Sequence, residues 1–144
     1  MKTLKMATML GLMIVIPALS ATAEDLGGAT EFLCSSSWAI SCAADQVCET
    51  GLPSEWNIPQ FVIADLDGKT LSATKASGES RTTPIELVRS DGGLIFILGH
   101  ELDRAFSIVV SQSTGRMSGS ITMENLTVTV FGACTPLPIQ EVDR

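Results

Sequence analysis

Residues 117–133 read MSGSITMENLTVTVFGA, and the fold class turns on how the two halves of this stretch match. If Met117–Met123 turns back through Glu124-Asn125 into Leu126–Ala133, Met123 faces Leu126, Ile121 faces Val128, Gly119 faces Val130 and Met117 faces Gly132. The intervening positions pair Thr122 with Thr127, Ser120 with Thr129 and Ser118 with Phe131. Successive side chains of a strand point to opposite faces, so one side of this hairpin is apolar and the other is mostly hydroxyl. A slip of one residue would turn the apolar set into water, which specifies the register. The Met/Ile/Leu/Val side belongs on a core and the Ser/Thr side in solvent.

The same two-residue period extends towards the N-terminus. Arg104–Ser111 carries Phe106, Ile108 and Val110 on one face and Ala105, Ser107, Val109 and Ser111 on the other, then breaks at Ser113-Thr114-Gly115. Leu94-Ile95-Phe96-Ile97-Leu98 is apolar on both faces and calls for cover on each. The N-terminal segment with Phe32, Trp38 and the cysteine loop is expected to fold over it; an exposed patch for a partner is the alternative. Ser90-Asp91-Gly92-Gly93 joins this strand to Thr82–Arg89 as a hairpin. Pro84 cannot donate to a ladder, so it is expected at an edge or near a strand start. Asp67-Gly68 joins Gln60–Leu66 to Lys69–Lys75 through a two-residue turn that faces Ala64 against Leu71 and Val62 against Ala73. Ser77-Gly78-Glu79 marks the next break. Helical signal is confined to Ser35–Val47, where Ser35-Ser36-Ser37 suits an extended or irregular segment equally well.

Turn signals about every eight to twelve residues from Ile58 onward predict an all-β protein. The expected architecture is an antiparallel meander of about seven to eight strands forming a small disulfide-linked barrel or sandwich. A first strand near Glu31–Ser37, held to the last through Cys34 and Cys134, would help close it. Residues 58–144 are expected to form the β-domain. Residues 24–57 form a cysteine-rich segment packed on it, within one folding unit.

Residues 1–23 read as a cleavable export signal. Lys2 and Lys5 form a positive start, Met6–Ile16 is uncharged and mostly apolar, Pro17 breaks the run, and Ala21-Thr22-Ala23 supplies the small residues of a cleavage site. Cutting after Ala23 exposes Glu24 and leaves 121 of the 144 residues, enough for one domain. The apolar run is short for a bilayer span, so no transmembrane anchor is expected after cleavage, and the location is periplasmic or secreted. The leader takes two lysines and no acid, so seven basic residues face 16 acidic ones, a net charge of −9. That balance repels phosphate backbones and argues against a nucleic-acid partner.

An even set of four cysteines in an exported chain implies two disulfides. Three pairings are possible. Cys34 with Cys134 and Cys42 with Cys48 would combine a long bridge, stabilising by up to about 4 to 5 kcal/mol, with a short one contributing about half that. A four-thiolate zinc site is the alternative, but no Cys-x2-Cys pair is present.

Residues that carry chemistry are sparse. His100 is the one histidine, in Gly99-His100-Glu101-Leu102-Asp103, with no second imidazole to join it at a metal or in a triad. Asp65-Leu66-Asp67-Gly68 resembles the start of a calcium loop, but Lys69 occupies a ligand position and no glutamate closes the frame. Gly-x-Ser-x-Gly does not occur, and the Gly pairs lack the setting of a phosphate cradle. No catalytic set, metal or cofactor is therefore expected. Trp38 and Trp56 are the candidates for recognition, because an indole offers a large contact area with a polar tip.

With Cys-x7-Cys-x5-Cys near the start and Ser113-Thr114-Gly115-Arg116 and Gly132-Ala133-Cys134 near the end, the chain resembles a loose family of small exported alphaproteobacterial proteins. Members more often carry Gly-Thr-Cys where Ala133 stands. The resemblance implies an exported, disulfide-linked β-domain and carries over no functional residue.

Three functions compete on these grounds. The first is a non-enzymatic binding or accessory module for an unknown small ligand or protein. The second is a protease inhibitor similar to the small bacterial metalloprotease inhibitors, with Glu24–Thr30 as its arm. The third is an enzyme resting on His100, Glu101 and Asp103.

Overall fold

The computed structural model describes residues 25–137. The expected leader and Glu24 lie outside the described residues. The chain forms β1 (Glu31–Ala43), β2 (Glu49–Gly51), β3 (Phe61–Asp65), β4 (Thr70–Ala73), β5 (Thr82–Pro84), β6 (Leu87–Asp91), β7 (Leu94–Glu101), β8 (Arg104–Ser111), β9 (Arg116–Thr122) and β10 (Leu126–Pro136). All ten belong to one antiparallel sheet in the order β5-β4-β3-β1-β10-β9-β8-β7-β6, with β2 on the same side of β1 as β3. β3 to β5 and β6 to β10 each pair in chain order, β1 joins the two runs by lying between β3 and β10, and the first long strand thus lies against the last. The two strands beyond the expected seven or eight are the short β2 and the division of Thr82–Arg89 into β5 and β6.

That division closes the sheet. The Ile85 N–H donates to Lys69 O at 2.8 Å beside β4, whereas the next amide, Glu86, donates to Leu98 O at 2.9 Å in β7. The stretch 82–91 thus bonds one end of the sheet with its first half and the other end with its second. Pro84, with no N–H to give, sits just before the switch. The result is a curled antiparallel barrel.

The hairpin of β9 and β10 has the register its alternation demands: Val128 faces Ile121, Val130 faces Gly119, Gly132 faces Met117 and Thr127 faces Thr122. Ala64 faces Leu71 and Val62 faces Ala73, also as expected. The loop between them differs. It spans residues 66–69, with the Asp65 carboxylate accepting the Gly68 N–H at 2.7 Å, and the left-handed backbone falls on Lys69 (φ 52°). At the β6–β7 turn Gly92 and Gly93 both have positive φ (57° and 77°), the pairing that matches the twist of a two-residue hairpin and that a Cβ would strain.

β1 extends well past the expected Ser37. It pairs with β10 throughout, placing Cys34 directly opposite Cys134, and the register shifts between Ser36 and Trp38. Phe32, Cys34 and Ser36 point inward, then Ala39 and Ser41 do so. The extra residue, Ser37, lets Trp38 share the outward position, where it is 45% exposed, instead of driving an indole into the barrel. Disulfides join Cys34 to Cys134 and Cys42 to Cys48. Such bonds fit an oxidising compartment. No helix among the described residues is long and apolar enough to cross a membrane.

The N-terminal segment does not lie over the outer face of β7, as anticipated. Instead β1 is part of the barrel wall, and Leu26 and Phe32 enter the interior beside Ile95 and Ile97. The outward Leu94 and Leu98 remain 36% and 37% exposed.

Candidate functional site

The core is divided. One cluster gathers Leu26, Phe32, Ile85, Ile95, Ile97 and Val110 with the Cys34–Cys134 bridge; a second gathers Ala39, Ile58, Val128 and Val130, with Trp56 and Ile121 packed against it. Between them lies a cavity of about 120 Å³, walled by residues of both clusters, including Ile97, Ile58 and Val130. Interiors are normally packed to crystal density, so a void of this size marks a place where side chains stop short. Small residues make the room: Ala64, Ala73 and Gly119 line the wall.

One end of the barrel is plugged. The Leu26 amide donates to Gln112 O at 2.7 Å in the β8–β9 turn, and its side chain is fully buried. The other end, at the β7–β8 and β9–β10 turns, carries the charges. There the second half of β1 pairs with β2 in place of β3, and the 3₁₀ turn Pro53–Trp56 leads across the gap to Asn57 and Ile58 on the cavity wall.

Alternation brings three charged side chains to this mouth. Glu101 continues the inward face of Ile95, Ile97 and Gly99, and Arg104 continues that of Phe106, Ile108 and Val110; the two face each other across the turn Leu102-Asp103. The Ala73 amide donates to Arg81 O at 2.7 Å, extending the β4–β5 ladder so that Arg81 shares the face of Thr83. Arg81 Nε lies 3.6 Å from both Glu79 and Glu101, and Arg81 Nη2 donates to Asn57 O at 3.1 Å. Arg104 has no ion pair among the described residues, and its buried Nε has no hydrogen-bond partner there. An unsatisfied buried donor is unfavourable by about 1 to 3 kcal/mol, more when charged.

Comparison with protein-family models, curated proteins and solved structures finds no match to this chain.

The sequence-nominated residues scatter relative to this site. Trp38 stands on the outer surface opposite Phe131, and Trp56 packs on the second core cluster. The four cysteines are all in disulfides, so no thiolate set remains for zinc. His100 points outward, its Nδ1 hydrogen-bonded to the Glu86 carboxylate on an exposed face, whereas Glu101 points into the mouth. Adjacent strand residues face opposite ways, so alternation separates the members of that trio. No group of three or more metal-binding side chains occurs among the described residues. Arg81, Glu101 and Arg104 were not singled out from sequence as a group. The signal for two of them was present: extending the inward face of β7 or β8 by two residues reaches Glu101 or Arg104.

Proposed function

We propose that this chain is an exported, non-enzymatic binding module of the periplasm or extracellular space, holding a small ligand inside its barrel. The observation that carries the reading is the cavity of about 120 Å³, plugged at Leu26 and rimmed by charge at its other end. Ligand sites are typically concave, mostly apolar and equipped with a few convergent polar groups, and small closed barrels hold single small ligands in this way. The leader-like residues 1–23, the two disulfides and the resemblance to exported proteins support the location. The inhibitor alternative is less well supported, because Leu26, within the expected arm, is buried and its backbone is bonded to Gln112. A magnetic-resonance screen of the oxidised protein against a panel of small apolar and amphipathic molecules tests the proposal. Saturable shifts at Ile97, Ile108 or Ile121 methyl groups are expected; a panel that leaves all three unmoved refutes interior binding.

A further inference from the structure

On the reading that the barrel interior is the binding site, the polar groups around it define which molecules fit. Arg81 is already engaged, with two carboxylates at 3.6 Å. Arg104 is the cation left over, with a buried Nε and no acceptor among the described residues. A ligand carboxylate against the part of the Arg104 guanidinium that lines the cavity would make a charge-assisted hydrogen bond where the side chain now makes none among the described residues. Ser36 and Thr83 are buried polar residues on the same wall. Elsewhere the wall is apolar, with Val62, Leu71, Ile97, Ile108 and Ile121.

Volume sets the size of the occupant. An engineered apolar cavity of about 150 Å³ accepts the six carbons of benzene, so about 120 Å³, open at the charged mouth, suits an apolar body of about five to six carbon atoms. We infer that the cavity takes a compact monocarboxylic acid, its apolar body between the two core clusters and its carboxylate on the Arg104 guanidinium. One negative charge is favoured over two, because Glu101 also faces the mouth and would repel a second. A neutral molecule of the same shape offers Arg104 only an uncharged acceptor, and the loss of the charge-assisted part of the bond is the basis of discrimination.

The test titrates benzoate and its neutral analogue benzamide into the isotope-labelled, oxidised protein, following methyl and amide shifts. Benzoate is expected to bind at least about tenfold more tightly, the effect of one hydrogen bond to a charged group. Arg104→Met should bring benzoate down to about the affinity of benzamide, while benzamide, which loses only an uncharged acceptor's bond, weakens much less. Arg104→Lys, which keeps the charge, should retain part of the preference. Ala73→Leu, which narrows the cavity, should weaken both ligands. Equal affinities in the unmodified protein, or a preference that survives Arg104→Met, would overturn the carboxylate assignment and leave interior binding standing. If neither probe binds, or if Ala73→Leu affects neither, interior binding itself fails and the assignment with it. A folded Arg104→Lys protein keeps the question decidable should Arg104→Met not fold.

Discussion

Ala73→Leu is expected to stabilise the protein, against the usual sign for enlarging an inward-facing side chain. Ala73 lies on the wall of a void of about 120 Å³. Leucine adds three carbon atoms, worth about 0.8 kcal/mol each on burial, or about 2.4 kcal/mol. Ordering the longer side chain takes back about 0.5 to 1 kcal/mol. A net gain of about 1.5 to 2 kcal/mol remains, which for a domain of this size raises Tm by about 6 to 8 °C. Urea unfolding with an unchanged m-value, alongside a thermal scan, measures it. Inserting carbons into a well-packed core typically loses about 1 to 3 kcal/mol. A loss in that range would show that the space is not available to side chains and would undo the argument built on it. The same substitution trades binding for stability, as site-filling changes commonly do.

The two disulfides should differ in weight. Their sequence separations are 100 and 6, which in the chain-entropy picture correspond to about 4.7 and about 2.2 kcal/mol. Cys34→Ala with Cys134→Ala should therefore lower unfolding free energy by about 2 to 3 kcal/mol more than Cys42→Ala with Cys48→Ala; equal losses in paired denaturant curves would contradict this. Leu102 is 91% exposed and held at φ 54°, a conformation costing a non-glycine residue about 1 to 2 kcal/mol. Leu102→Gly should stabilise by up to about 1 kcal/mol after glycine's extra chain entropy is allowed for, and a clear loss in urea midpoint would count against strain at that turn. Deleting Ser37 makes Ser36 and Trp38 consecutive, as their partners Gly132 and Phe131 already are. The fold should survive at a cost of about 1 kcal/mol, with Trp38 fluorescence still open to acrylamide quenching; loss of cooperative unfolding would show that the bulge is needed to curve the wall.

The parts of the fold legible beforehand are those governed by short-range alternation. Ile121 and Val128 had to face each other because any odd slip would have traded a buried apolar face for a hydroxyl one. Ala64 and Leu71 were placed by the same reasoning, although the intervening loop spans residues 66–69 instead of the two-residue turn at Asp67-Gly68. β1 was ambiguous because serines carry weak strand preference and its partner in β10 lies far along the chain. The break at Ile85-Glu86 was hidden for a related reason: it is a change of hydrogen-bond partner, and both partners are distant in sequence.

Local pattern and cysteine content alone determined that this is an antiparallel all-β chain with oxidised staples, because side-chain period and paired cysteines act within short stretches or through composition. Tertiary structure decided which cysteines meet, where the sheet closes, and that Arg81, Glu101 and Arg104 converge on one mouth. Those outcomes depend on the closure of a curled sheet. Contacts between strands remote in sequence become favourable only when the whole barrel forms.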